Sequence, residues 1–225
     1  MSVVDFHSHI HPYADHGSSS IDVSLAQLSL AAEHGVKRII LTPHYYPHRE
    51  NPESFIARRE KCYNKLLANL NEDLPDVRLG AEVLICDNIE EMPHLDDLCV
   101  RGTKILLLEL PFTDFSDSYL DSVKYLIADG YDVVLAHADR YDPSNIDRLV
   151  ALGAKIQLNA DSLSSLLVKK HIKRWINDGC VYAIGSDIHG EDEKAYKRFN
   201  KALARLSSVS TVDTFADKVW ISSKK

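Results

Sequence analysis

The chain has 225 residues, 45% of them hydrophobic and 26% charged, with a formal net charge of -7. This is enough to bury one large α/β core, and the acidic surplus without any Lys/Arg block argues against a nucleic-acid partner. No basic-then-apolar leader opens the sequence and no apolar run approaches bilayer length, so a cytoplasmic protein with no membrane insertion is expected.

Val3-Val4-Asp5-Phe6-His7-Ser8-His9 reads as the first strand. Alternate strand residues share a face, so Asp5, His7 and His9 are expected to point one way. Two imidazoles so placed can share a borderline-soft cation, with Asp5 behind them to receive a ring N–H. Residues 10–20 read as a loop. Asp22 is the expected cap of a helix to His34, with Val23, Ala26, Leu30 and Ala31 as its apolar stripe and Gly35 as its end.

Val36 to Leu41 is a predicted strand followed at once by Thr42-Pro43-His44-Tyr45-Tyr46. Asn51-Pro52 opens a helix to about Asn71, with Phe55, Tyr63, Leu66, Leu67 and Leu70 facing inward. Val77 to Leu84 is a third strand ending near Glu82, and 87–102 has no clear pattern. Lys104 to Leu108 is a buried strand closed by Glu109. A helix from Ser118 to Asp129 leads to a strand from Tyr131 to Leu135 and then to Ala136-His137-Ala138-Asp139-Arg140-Tyr141.

Asp142-Pro143 opens a helix to Leu152, and Lys155 to Leu158 is a strand ending at Asn159. One helix is predicted over Ser162 to Asp178. Val181 to Ile184 is the last strand, followed by Gly185-Ser186-Asp187-Ile188-His189-Gly190 and a helix from about Asp192 to Leu206. The segment from Ser207 is weakly patterned, with Trp220 expected to dock on the body.

Seven strand-then-helix units imply a parallel sheet. Because chemistry-bearing residues follow many strands rather than one switch point, closure into a distorted (β/α)7 TIM-like barrel is expected, as a single domain over 1–225. The strand ends carry His7, His9, His44, Glu82, Glu109, His137, Asp187 and His189, with His16 in the first loop. In a barrel these would meet at the C-terminal face. Each alone has a plainer reading as a turn residue, cap or strand-end charge. His11, His34, His48, His94 and His171 read as surface residues, His48 being notable for its place in the loop after His44. Tyr13, Tyr45 and Tyr46 read as packing residues or pocket walls, and Lys194, Lys197 and Arg198 as a solvated helix face.

Cys62, Cys86, Cys99 and Cys180 form no C-x-x-C pair and none has an arginine six positions later. They read as buried free thiols, and the phosphate loop of thiol-based phosphatases is absent.

The H-x-H of the first strand, T-P-H, the two strand-end glutamates, A-H-x-x-R-Y and S-D-x-H together resemble the polymerase-and-histidinol-phosphatase (PHP) superfamily. In order and spacing they are most similar to the protein-tyrosine phosphatases of bacterial capsule and exopolysaccharide loci, the CpsB/CapC group. The resemblance covers roughly 2–206 and implies three metal positions. His7, His9, Glu82 and Asp187 would form the first; Glu109 and His137, with Glu82 bridging, the second; His16, His44 and His189 the third. The chain departs from the group in reading Asp15-His16-Gly17 in place of Asp-Asp-Gly. It also has Lys194 where an arginine tends to follow S-D-x-H.

Two or three clustered divalent ions suit phosphoester hydrolysis by activated water. An all-N/O donor set points to manganese, with iron or zinc as alternatives. Arg140 would grip phosphate oxygens, Lys194 is a second candidate clamp, and either Asp139 or His48 could supply a proton. The implied substrate is a phosphotyrosine protein, such as the tail of a bacterial tyrosine kinase. The rival readings are a phosphatase of small alkyl phosphates such as histidinol phosphate, and a non-catalytic metal-binding regulatory module.

Overall fold

The computed structural model describes residues 4–112, 115–165, 167–190 and 192–207. The strands are β1 (Val4–Ser8), β2 (Arg38–Leu41), β3 (His44–Tyr45), β4 (Asp76–Leu79), β5 (Glu82–Leu84), β6 (Ile105–Glu109), β7 (Asp132–Leu135), β8 (Lys155–Asn159) and β9 (Val181–Gly185). The helices are α1 (Ile21–Glu33), α2 (Pro52–Leu67), α3 (Leu95–Leu98), α4 (Ser118–Ala128), α5 (Pro143–Ala151), α6 (Ala160–Ser164), α7 (Lys170–Asn177) and α8 (Ala195–Ser207). All pairing among the described strands is parallel, in two sheets ordered β1-β2-β4 and β3-β5-β6-β7-β8-β9.

The predicted third strand is broken in two, and the predicted second ends at Leu41 as expected but is followed after Pro43 by a further short strand, β3. Pro43 has no N–H to give a ladder, and Gly80 marks the break on the neighbouring strand. Both breaks lie at one level, since Gly80 N–H donates to Leu41 O at 2.8 Å and Glu82 N–H to Pro43 O at 3.1 Å. The same two strands therefore continue as neighbours, β2 beside β4 and then β3 beside β5. Buried Arg59 donates to the Gly80 carbonyl at 3.0 Å and to Asp97 O at 2.6 Å, satisfying backbone that the break releases. At the other edge the C-terminal ends of β1 and β9 meet: Asp187 N–H donates to His7 O at 2.8 Å and His9 N–H to Ile188 O at 3.1 Å.

Parallel strands covered on both faces carry continuous apolar runs, and all five residues of β6 are buried. Leu106 and Leu108 join the larger core beneath the helices, whereas Ile105 and Leu107 pack with Phe6, Ile40, Val134 and Tyr182 on the opposite face. Glu82 lies opposite Leu107 in the ladder, so it shares that second face. The residues that close this face at its C-terminal end are polar.

Several local expectations change. Ser20, not Asp22, caps α1, accepting from Val23 N–H at 3.1 Å. The buried stripe of α1 is Ser24, Gln27, Leu28 and Ala31, while Ala26 is exposed. Ser24 donates to Ile10 O, and Gln27 to Gly190 O, so this helix is fixed to the first and last loops by polar contacts that apolar periodicity does not register. Leu67 is exposed rather than inward-facing. The single helix predicted over 162–178 is two helices, because Arg205 caps the end of α6 by donating to the carbonyls of Leu163 and Ser165. Trp220 and the segment after Ser207 lie outside the described residues.

Candidate active site

β1 delivers His7 and His9 through an irregularity. Its pairing with β2 slips between Asp5 and Ser8. Asp5, opposite Ile39, faces α8, where Tyr196 O–H donates to its Oδ2 at 2.9 Å. Asp5 Oδ1 accepts from Ser186 N–H at 2.8 Å. Asp5 therefore does not receive a ring N–H from either histidine, and it does not share their direction; it ties β1 to the S-D-x-H turn. Burial pushes its pKa up to about 6 against these hydrogen bonds.

The other strand ends converge on Glu82. His137 Nε2 lies 2.7 Å from Glu82 Oε1, and three ring nitrogens surround Oε2: His44 Nδ1 at 2.9 Å, His7 Nε2 at 3.2 Å and His9 Nε2 at 3.3 Å. Asp187 Oδ1 is 3.4 Å from His9 Nε2 and 3.7 Å from His7 Nε2. Glu109 approaches His44 and His137, each at 3.7 Å. His189 stacks on His9 with ring centroids 4.0 Å apart, and exposed His16 stacks near His189 and His44 at 4.6 and 5.0 Å. His137 (φ 31°) and Asp187 (φ 52°) both occupy the left-handed region. Such strain, of order 1–3 kcal/mol per residue, collects at functional sites.

The donor set fits divalent cations on three grounds. Glu109 Oε2 and His189 Nε2 are buried without a hydrogen-bond partner among the described residues, a cost of about 1–3 kcal/mol for each such group, and Glu82 Oε2 and His44 Nδ1, though 2.9 Å apart, do not meet in hydrogen-bond geometry. The Nε2 atoms of His7 and His9 face each other at 3.1 Å, close enough to share one proton or to turn toward one cation. Three sets of donor atoms, His7/His9/Glu82, His44/Glu82/Glu109 and His9/His44/His189, each lie within 4.8 Å of one another.

The electrostatics agree. Burial opposes charge on Glu82 and Asp187, but the surrounding imidazoles hold both carboxyls well below their ordinary range, ionised as ligands must be. Burial and the Glu82 charge raise Glu109 to about 8, the response of a carboxylate short of positive charge. Burial opposes a charge on His7, yet Glu82 and Asp187 raise it to about 8. Burial and the neighbouring His9 lower His189 to about 4. His189 Nδ1–H can donate to Asp187 O at 3.0 Å, leaving its Nε2 lone pair free.

The other expected participants divide. Arg140 Nη2 donates to Asp187 Oδ2 at 2.6 Å with its side chain 44% exposed, so it stands at the rim in contact with a candidate ligand. Asp139 is turned to the backbone, accepting from Asn159 N–H at 2.9 Å, and burial raises its pKa. His48 is exposed and lies beside Tyr46, 5.9 Å between ring centroids. Lys194 is exposed on the approach to α8, its backbone N–H bonded to Asp192 Oδ1 at 3.0 Å, while Arg198 holds Asp161 and Asp192. His11 is fully buried rather than superficial: its Nε2 lies 3.0 Å from Arg59 O, and burial lowers its pKa to about 4.

Sequence reasoning gave no role to three polar residues here. Asp15 receives His9 Nδ1 at 2.7 Å, His44 N–H at 3.0 Å and Gly17 N–H at 2.8 Å. Gln157 and Asn159 line the site from β8. Their signal is two amides at i and i+2 that alternate with the apolar Ile156 and Leu158 of β8. Phe112, 71% exposed, stacks on His137 at 6.2 Å and on Tyr141 at 5.5 Å.

A family model described as "Capsular polysaccharide synthesis, CpsB/CapC" matches residues 3–221. The tyrosine-protein phosphatase YwqE of Bacillus subtilis is 28% identical over 83% of this chain and 77% of its own length. The tyrosine-protein phosphatase CpsB of Streptococcus pneumoniae is 24% identical, over 85% of each. A solved structure from work on these two, described as unique metal-dependent tyrosine phosphatases, superposes with a TM-score of 0.75 at 23% identity, covering 97% of this chain and 92% of its own. A β-aspartyl dipeptidase from Fervidobacterium islandicum shares the fold more distantly, with a TM-score of 0.52 at 12% identity.

Proposed function

The chain belongs to the CpsB/CapC family of capsular polysaccharide synthesis, and from that premise we propose that it is a metal-dependent protein-tyrosine phosphatase acting in capsule or exopolysaccharide synthesis. The observation that carries the reading is the convergence of four ring nitrogens on the buried carboxylate of Glu82, with donor atoms left unpartnered around it. The two curated relatives above are named tyrosine-protein phosphatases.

We assign His7, His9, Glu82 and Asp187 to one cation, Glu109 and His137 with shared Glu82 to a second, and His16, His44 and His189 to a third. Manganese is the ion we favour, with iron or zinc as alternatives, because every donor is nitrogen or oxygen. Bound ions would draw phosphate oxygens and acidify a water. Arg140, already at the rim, would hold phosphate oxygens with its planar fork. A phenolic leaving group has a pKa of about 10, so little acid assistance is required. This suits a site where Asp139 faces the backbone and His48 lies outside the cluster. Exposed Phe112, stacked beside His137, offers an apolar wall to an aryl ring.

We read the two sheets as one distorted (β/α)7 barrel, sheared where Pro43 and Gly80 interrupt it and joined where β9 meets β1, and the chain as one catalytic domain over 1–225. We place it in the cytoplasm, in keeping with four unpaired cysteines. No described helix is long and apolar enough to cross a membrane. The natural substrate would be a phosphotyrosine-bearing protein such as the tail of a bacterial tyrosine kinase. Turnover of a phosphotyrosyl peptide should exceed that of histidinol phosphate with manganese added to both. A preference for histidinol phosphate would move the assignment to small alkyl phosphates.

A further inference from the structure

Gln157 has no exposed surface and Asn159 is 4% exposed. Buried amides persist only where their hydrogen bonds are met, and these two meet theirs on the candidate ligands. Gln157 Oε1 lies 2.6 Å from His137 N and 3.0 Å from His7 Nδ1. Gln157 Nε2 is 2.9 Å from Asn159 Oδ1, and Asn159 Nδ2 is 2.8 Å from Asp187 Oδ2. The backbone makes room for this relay, because a Cβ on Gly185 would collide with His7 and come within 2.8 Å of Gln157 Nε2. The strand is irregular at the same place, its pairing with β9 slipping between Ile156 and Gln157.

The direction of every bond in this relay is fixed by its two ends. A backbone N–H can only donate, so the atom of Gln157 facing His137 N is its oxygen. The amide nitrogen then faces Asn159, which must accept with its own oxygen. That leaves the Asn159 NH2 group toward Asp187, whose ionised carboxylate can only accept. With Gln157 Oε1 an acceptor, His7 must carry a proton on Nδ1, so that once the ring is neutral its lone pair lies on Nε2, toward Glu82 and Asp187. At the far end, Asp187 Oδ2 is occupied by Asn159 and by Arg140 at 2.6 Å. Only Oδ1 remains turned toward His7 and His9.

We propose that Gln157 and Asn159 are positioning residues that select His7 Nε2 and Asp187 Oδ1 as the donor atoms for the first cation. The inference rests on the metal-dependent reading of the same site. Loss of an orienting partner behind a metal ligand typically weakens metal binding about 10–100-fold. Gln157→Met, of similar length and without an acceptor oxygen, should raise the manganese dissociation constant by that factor. Gln157→Glu keeps an acceptor for His7 Nδ1 but has no N–H for Asn159 Oδ1, so its manganese dissociation constant should fall between those of the parent and Gln157→Met. Asn159→Leu removes one of the two donors to Asp187 Oδ2 and should weaken binding less than Gln157→Met does, since Arg140 still occupies that oxygen.

A second readout needs no substitution. In zinc-loaded protein with 15N-labelled histidine, His7 should bear its proton on Nδ1 and bind through Nε2, and Gln157→Glu should preserve that state. A His7 proton on Nε2 in the parent would overturn the inference. So would a folded Gln157→Met that binds manganese as tightly as the parent, or a folded Gln157→Glu weakened as much as the Met variant. If Gln157→Met does not fold, the tautomer of the parent and the Glu variant decide. A parent that binds no metal removes both the inference and the reading beneath it, whereas tight binding with the other tautomer removes the inference alone.

Discussion

Two buried polar regions lie within a few residues of each other along β1 and differ in one respect. Around Asp5 each carboxylate oxygen has a donor, from Ser186 N–H and Tyr196 O–H. Around Glu82, donor atoms on Glu82, Glu109, His44 and His189 are left over among the described residues. The first region holds β1, the S-D-x-H turn and α8 together. The second is arranged for charge the polypeptide does not supply. A buried polar group with all its partners is part of the scaffold, and one surrounded by orphaned donors marks where a ligand belongs.

The sharpest way to break this distinction is Glu82→Gln. The amide keeps the size but loses the charge that gathers the imidazoles, so bound metal and phosphatase rate should fall together, the rate by at least about 100-fold. Unchanged metal stoichiometry and rate would place Glu82 with the scaffold.

His11 belongs to the satisfied region and should affect stability rather than chemistry. Its folded pKa, about 4, lies below the ordinary 6.5. The unfolded chain therefore binds the proton first as pH falls. The stabilisation is complete above about pH 6.5, is lost as pH falls toward 4, and amounts to roughly 3 kcal/mol at about 1.4 kcal/mol per unit. Denaturant unfolding at pH 7 and pH 5 should show this loss in the parent and a smaller one in His11→Gln. Equal losses would reassign the acid sensitivity.

Arg140 stands between the two regions, bonded to Asp187 yet open to solvent. A charge-assisted contact to phosphate is worth about 1.5–3 kcal/mol, so Arg140→Ala should lower kcat/KM about 10–100-fold. Metal should stay bound, because Asn159 still holds Asp187 Oδ2. A silent Arg140→Ala would favour small alkyl phosphates as substrates.

Smaller effects complete the series. Tyr196→Phe deprives buried Asp5 of one donor and should cost about 1–2 kcal/mol in denaturant unfolding, with metal content unchanged; metal loss there would show that the regions are coupled. His48→Ala and Lys194→Ala, both outside the cluster, should change turnover of a phosphotyrosyl peptide by less than about twofold. A larger fall in Lys194→Ala would restore it as a second phosphate clamp.

Much of this was legible in the chain itself, for reasons tied to particular residues. The seven strand segments stand out because parallel strands covered on both faces carry unbroken apolar runs. The strand-end His, Glu and Asp residues stand out because such groups rarely recur at equivalent places. The break at Gly80 lies inside a run that reads as continuous, and His44–Tyr45 is too short beyond Pro43 to read as a strand of its own. Asp5 was misjudged because alternation cannot foresee the slip between Asp5 and Ser8. His11 was taken for a surface residue because its partner, the carbonyl of Arg59, lies 48 positions away. Gln157 and Asn159 were passed over because amides carry no charge to draw notice. Their role exists only where β8 lies against the β7 end and the S-D-x-H turn.

The most direct test of the central claim is phosphate release from a phosphotyrosyl peptide by protein stripped with a strong chelator, before and after manganese is restored, with the cysteines alkylated throughout. The account predicts no turnover in the stripped protein and recovery of most of the starting rate on adding manganese, alkylation notwithstanding. Full turnover by protein shown to hold no metal, or abolition by alkylation alone, would contradict it.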